Sequence, residues 1–261
     1  MRASPLILAA LWLTGCPDTR PTCDQKVSDI HYDLALQGES HQDVRAAVHE
    51  AEESLRLCST NYQAENLVGV LYHVSFQRRD EAEHHLQAAL SLKPDYSEAK
   101  VNLGNLYLDE DHCDRAVPLY EAALKDMFYR KPWLPLNNEG WCWHRLGDDA
   151  KALSLIAESV RMNPEFCQGY RNRGLIYFEQ KNYDVARAEF EKLMRRCPDL
   201  AESHYEMARV MDAMQLEDPA HAEYTRCRDL AKDGDPLLDL CSHQAGVTNT
   251  APAPPSGGGN P

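Results

Sequence analysis

The sequence predicts an all-α fold, a right-handed superhelical solenoid of six stacked helical hairpins with about twelve antiparallel helices. Two observations carry that expectation. Between Trp133 and Pro198 the chain states one pattern twice: Gly140, Trp143, Ala152, Ile156 and Pro164 are answered 34 positions later by Gly174, Tyr177, Ala186, Phe190 and Pro198. A fixed period of this length marks an array in which each unit is one helix-turn-helix that buries its apolar face only against its neighbours. Composition agrees, because 261 residues with 43% hydrophobic and 26% charged side chains suit a soluble chain holding one large domain or a short array.

Taken from the amino terminus, residues 1–15 read as an export signal. Arg2 precedes an apolar run from Pro5 to Leu13. The run falls short of the about 20 apolar residues needed to span a bilayer, but it fits the core of a signal peptide. Leu13-Thr14-Gly15-Cys16 resembles the lipobox of bacterial lipoproteins. That resemblance implies cleavage before Cys16, acylation of its sulfur, and an anchor of several acyl chains firmer than the marginal binding of one. Pro17, standing where Asp would redirect sorting, implies the periplasmic face of the outer membrane. The plainer reading is a buried cysteine in an amphipathic first helix. Residues 16–27 hold the lipidated Cys16 and a polar connector.

The repeated unit resembles the tetratricopeptide repeat, a module of about 34 residues. Phased from the pair at 133–198, repeat 1 occupies 28–61, with Ala35 at the small position, Ala47 at the alanine position and Cys58-Ser59 in the closing turn. Repeat 2 occupies 62–96 with Gly69, Tyr72, Ala82 and Pro94, and one extra residue in the turn from Gln77 to Asp80. Repeat 3, 97–132, carries Gly104, Tyr107, Ala116, Tyr120 and Ala123; after Leu124 a longer connection sets Gly104 and Gly140 36 residues apart. Repeats 4 and 5 are 133–166 and 167–200. Repeat 6 and a C-terminal segment, 201–245, have Ala208, Ala220 and Tyr224, with a helix-stopping run at Asp233-Gly234-Asp235-Pro236. The uncharged residues 246–261 read as a disordered tail.

Each offset has a physical reason. Glycine or alanine at the eighth position lets the paired helix approach, and the aromatic three residues later fills the space beside it. Asp148 and Asn182 stand where second helices need a side-chain cap, and the closing proline stops the helix.

After Cys16, eight cysteines remain: Cys23, Cys58, Cys113, Cys142, Cys167, Cys197, Cys227 and Cys241. An even count in an exported chain predicts disulfides, although eight cysteines permit 105 pairings. In a helical hairpin the start of the first helix lies beside the end of the second, which suits Cys167 with Cys197 and Cys23 with Cys58. Cys113 and Cys142 suit a stacking interface, and Cys227 with Cys241 would pin the terminal segment. With no CxxC, and with His84 and His85 diverging on a helix, no metal site is expected.

Net charge is −14, which argues against nucleic acid and against anionic headgroups as partners. No HExxH, P-loop or Gly-x-Ser-x-Gly is present, so no catalytic residues and no cofactor are expected. The crowded turn Asp109, Glu110, Asp111, His112 and Asp114 reads as solvated. Helical repeats offer instead a concave face, lined by positions 2, 5, 6, 9, 12 and 13 of each first helix. Position 6 is Asn102, Asn138 and Asn172 in three successive repeats, and the resemblance to peptide-binding tetratricopeptide proteins implies that such asparagines grip the backbone of an extended ligand, since an amide both donates and accepts. The bland reading is that asparagine suits a polar helix face. Around them stand Val101, Asn105, Leu108, Asn137, Trp141, Arg145, Arg171, Leu175 and Phe178. Trp141, Leu175 and Phe178 are expected to point into this groove as interaction anchors, or else to be buried by the curve of the array.

Ala123-Leu124, Tyr129 to Pro132, Asn138 to Gly140 and Gly147-Asp148 occur in the order that resembles the pilotin lipoproteins of type IV pili, the Tgl and PilW type. The chain departs from that pattern at Glu139 and in its cysteine content. The resemblance implies a monomeric, non-enzymatic outer-membrane lipoprotein that binds a subunit of the secretin and promotes its multimerisation and localisation. Two alternatives stand beside it: a repeat-scaffold lipoprotein of outer-membrane protein assembly or cell-wall synthesis, and a cysteine-rich helical-repeat hydrolase of β-lactams. The lengthened 124–136 connection argues against the first. The second expects a cysteine pair in every unit, and only the fifth has one.

Overall fold

The structure, a computed structural model, describes residues 23–246. The expectations for the signal, for lipidated Cys16 and for all of the tail but Gly246 lie outside the described residues. All regular structure among them is helical. Thirteen helices run in sequence, and the chain divides into two compact units at Ala64 and Glu65. None of the described helices is long and apolar enough to cross a membrane.

In the first unit α1 (Gln25–Ser40) pairs with α2 (Val44–Leu57). Helix α1 begins before the expected end of the connector at residue 27. The reason is Asp24, whose carboxylate accepts from the Val27 amide at 3.2 Å and so caps the helix three residues early. Asp43 caps α2 in the same way through the Ala46 amide, 3.1 Å away. The hairpin closes on small residues: Ala35, Ala47 and Ala51 are fully buried, and the Ser28 hydroxyl meets the Ser54 hydroxyl at 2.9 Å. A disulfide joins Cys23 to Cys58 with a Cα separation of 4.5 Å.

The second unit continues the pairing. Its helices, from the boundary helix α3, are α3 (Tyr62–Val74) and α4 (Arg79–Leu92), α5 (Ser97–Asp109) and α6 (Cys113–Leu124), α7 (Trp133–Arg145) and α8 (Asp149–Met162), α9 (Cys167–Glu179) and α10 (Tyr183–Arg196), and α11 (Ala201–Ala213) and α12 (Glu217–Leu230). A short α13 (Pro236–Gln244) ends the described chain. The small-residue rule is visible as contact. A Cβ on Gly104 would lie 2.6 Å from the Tyr120 ring, and one on Gly174 would lie 2.5 Å from the Phe190 ring. Tyr120, Ile156 and Phe190 fill this space completely buried, with Ala116, Ala152 and Ala186 at the helix crossing beside them.

Asp148 caps α8 through the Lys151 amide at 3.0 Å. Asn182 occupies the equivalent place before α10, but its side chain makes no capping bond, contrary to expectation. Its backbone amide instead donates to the Tyr177 carbonyl at 2.9 Å, which closes the turn without help from the side chain. Three disulfides stitch the unit. Cys113–Cys142 joins repeat 3 to repeat 4, Cys167–Cys197 closes repeat 5 on itself, and Cys227–Cys241 holds α13 against α12. Asp235 caps α13 through the Leu237 amide at 2.9 Å, with Pro236 as its first residue.

Candidate functional site: an amide-floored groove

The first helices of repeats 2 to 5, α3, α5, α7 and α9, turn their polar stripes to one side and enclose an open cleft of about 490 Å³. Of the twelve residues expected at the groove, Asn102, Asn105, Leu108, Asn137, Asn138, Trp141, Arg145, Arg171 and Asn172 line it. Val101, Leu175 and Phe178 do not. Val101 is buried in helix packing. Leu175 and Phe178 pack into a core with Tyr170, Phe190, Met207 and Val210, because α11 of the next repeat lies over them. Arg209 completes that cover, with its guanidinium 4.8 Å from the centre of the Phe178 ring. The cleft also takes in Val70, His73, Val74, Asp109 and Gln168. The same positional rule carried back into repeat 2, and position 2 of repeat 5, would have found most of these.

The floor is a continuous relay of side-chain amides. Gln168 Nε2 donates to Asn172 Oδ1 at 2.8 Å, and Asn172 Nδ2 to Asn137 Oδ1 at 3.1 Å. Asn137 Nδ2 then donates to Asn138 Oδ1 at 2.9 Å, and Asn138 Nδ2 to Asn105 Oδ1 at 2.7 Å. The Tyr120 hydroxyl also donates to Asn105 Oδ1, at 3.0 Å. Burial of that phenol raises its pKa, so it stays protonated and remains a donor. Asn102 belongs to a separate pair, donating to Asn66 Oδ1 at 2.9 Å. The asparagines therefore hold one another across repeat boundaries. Each amide nitrogen carries two N–H groups; the relay engages one each at Gln168, Asn172, Asn137 and Asn138 and none at Asn105.

Charge is arranged at the sides. Arg145 donates to the Leu108 carbonyl at 3.0 Å and to Asp111 at 2.9 Å, so one residue of the crowded acidic turn orients a groove arginine. His73 pairs with Asp109 at 2.9 Å. Arg171 meets Glu202 at 2.8 Å and Glu206 at 3.3 Å, while its Nε is buried without a partner. Burial pushes the Glu206 carboxyl above its ordinary range against the pull of Arg209 and Arg171. Trp141 lies half-buried with its ring 5.0 Å from that of His144. The site thus offers hydrogen-bonding edges, one aromatic face and two guanidinium groups. Among the described residues no group of three His, Cys, Asp or Glu is placed to hold a metal ion.

The tetratricopeptide repeat family model matches residues 67–127, 101–165 and 167–200. The chain is 26% identical over 130 residues to Hsp70-Hsp90 organizing protein 2 of Arabidopsis thaliana, a match that takes in 48% of this chain and spans about a fifth of that protein's length, 22%. Among solved structures it resembles PilW, a widely conserved type IV pilus biogenesis factor, with a TM-score of 0.74 and 22% identity over 82% of this chain and 98% of that one. Pseudomonas aeruginosa pilF gives a TM-score of 0.67 at 15% identity, covering 84% and 98%. At these identities the likeness is one of fold.

Proposed function

The chain is a tetratricopeptide-repeat protein, and on that premise we propose that it is a non-enzymatic scaffold of the pilotin kind. In this reading Cys16 carries the acyl chains that fix the protein to the periplasmic face of the outer membrane. The groove of repeats 2 to 5 holds an extended segment of a secretin subunit while neighbouring subunits join the ring. One observation carries the proposal: a cleft floored by amides in a chain whose fold covers nearly the whole of PilW and pilF. The members of the relay that reach solvent, Asn105, Asn138 and Gln168, keep an N–H outside it and can take a ligand's carbonyls without first breaking its bonds, which keeps the cost of binding low. Arg145 and Trp141 supply an anchor of the kind that dominates binding energy.

The experiment uses two exposed groove residues, so that folding is spared. Arg145→Glu with Gln168→Ala should leave the urea midpoint unchanged while heat-stable secretin multimers disappear from cells and secretin monomer persists. Normal multimers in that variant would remove the groove from the mechanism. Crosslinked pull-down from the same cells decides the partner, because a secretin subunit should be retained by the wild type and lost by the variant.

A further inference from the structure

Residues 125–132, between α6 and α7, carry the two most exposed large apolar side chains among the described residues. Met127 and Phe128 are each 85% exposed, and the next, Val74, is 70% exposed. The exposure is held by the backbone. Asp126 accepts from the Phe128 amide at 2.9 Å and from the Ser97 hydroxyl at 2.8 Å, which ties the turn to α5. The Asp126 amide donates to the Ala123 carbonyl, and the Tyr129 amide donates to the Asp126 carbonyl at 3.1 Å. Tyr129 turns inward, where burial pushes its pKa up to about 12. One turn therefore hides one aromatic ring and presents two apolar side chains to the outside.

Lys125, Arg130 and Lys131 flank these two residues in the sequence and are exposed. None of the three makes an ion pair among the described residues, whereas Arg161 and Arg196, at the ends of α8 and α10, pair with Glu158 and Glu165. A chain of net charge −14 thus keeps one protruding cluster of apolar and unpaired cationic groups. Total charge does not decide what such a cluster meets, because at physiological salt distant carboxylates are screened beyond about 8 Å.

We propose that this turn is a membrane-contact tip: Met127 and Phe128 enter the boundary between headgroups and acyl chains of a bilayer containing anionic lipid, and Lys125, Arg130 and Lys131 lie against its phosphates. Charge and size select this occupant. Two protruding side chains fall far short of the about 800 Å² per partner that a stable protein interface buries. A bilayer needs no matched surface and rewards apolar tips ringed by cations. Contact this small is weak alone. It rests for its strength on the lipid anchor proposed above, which would hold the tip near the surface at high effective concentration.

The test places a reporter on the tip. The full chain carrying Phe128→Trp is bound to vesicles of phosphatidylethanolamine and phosphatidylglycerol with brominated acyl chains, and the wild-type spectrum is subtracted. The expected result is a blue-shifted difference spectrum quenched about two-fold. Quenching should be lost in phosphatidylcholine vesicles and when Lys125→Gln, Arg130→Gln and Lys131→Gln are added. An indole that stays unquenched in every vesicle overturns the proposal. So does a photocrosslinker at position 127 that captures an acidic protein in cells and no lipid. Co-sedimentation of the same chain with the vesicles reports the anchor by itself, so a chain that sediments with its indole unquenched overturns the tip and leaves the anchor standing. The groove variant Arg145→Glu with Gln168→Ala leaves both readouts untouched.

Discussion

Asn172 donates from Nδ2 to Asn137 Oδ1 across 3.1 Å, and both side chains are shut away from solvent, Asn137 wholly so. This contact joins repeat 4 to repeat 5 in the middle of the groove floor. Asn137→Ala removes the acceptor and leaves a buried N–H without a partner, which costs about 1–3 kcal/mol. The equivalent change at the half-exposed Asn102, where water can replace the lost bond, should cost less. Urea unfolding of the two variants checks the order, and equal midpoints would remove the energetic role given to the relay.

Gly174 and Phe190 touch where helices α9 and α10 cross. Gly174→Ala should destabilise by about 1–3 kcal/mol, because the new methyl group meets a fully buried ring with no room to withdraw. Adding Phe190→Leu should recover part of that loss. Thermal melts of the single and double variants measure the coupling, and additive losses would show that crowding between these two residues is not the cause.

Glu139 is buried in α7 and accepts from the Trp143 indole at 3.1 Å. Burial raises its pKa above the ordinary 4.5. The folded chain therefore holds that proton more tightly than the unfolded chain, and stability falls as pH rises from 4.5 through the raised value. Glu139→Gln should increase stability at neutral pH, with the gain shrinking as pH drops towards 4.5. Urea midpoints measured across that range give the answer, and a gain that grows on acidification would reverse the assignment.

Cys113–Cys142 is the one disulfide of the second unit that links consecutive hairpins, its ends 29 positions apart in the sequence. Replacing both cysteines by alanine should cost about 3 kcal/mol by freeing the unfolded chain. The loss should be local: amide exchange ought to quicken in α6 and α7 more than in α9 and α10. Uniform quickening along the chain would mean that the link stabilises the array as a whole.

Most of the scaffold was legible because its rule is local and repeats. Glycine or alanine, an aromatic residue and a second alanine at fixed offsets place two helices in contact whatever lies further away, and the hairpins follow from Ala35 to Tyr224. The groove was legible only in part. Position within a repeat says which way a side chain leaves its helix, but not whether the next repeat covers it. Phe178 shares its position with Leu108, yet α11 and Arg209 close over it. An offset places each asparagine on the open face, to grip a ligand or merely to suit a polar surface, whereas their bonding to one another depends on distances between repeats that no single offset contains. Asn182 shows the same limit on a smaller scale, since a capping residue at the right place need not turn its side chain to the helix.

The amide relay has a direction. From Gln168 to Asn105 every link has the nitrogen of one side chain facing the oxygen of the next, and the last oxygen takes a second donor from Tyr120. Inverting one amide would set nitrogen against nitrogen and oxygen against oxygen, so the row turns over together or not at all. The row consequently has unlike ends: an acceptor already doubly occupied at Asn105, and an amide oxygen at Gln168 that the row does not use. On the reading proposed above, an extended chain laid along it would meet different chemistry at its two ends, and a segment would be told from its reverse before any side chain is read.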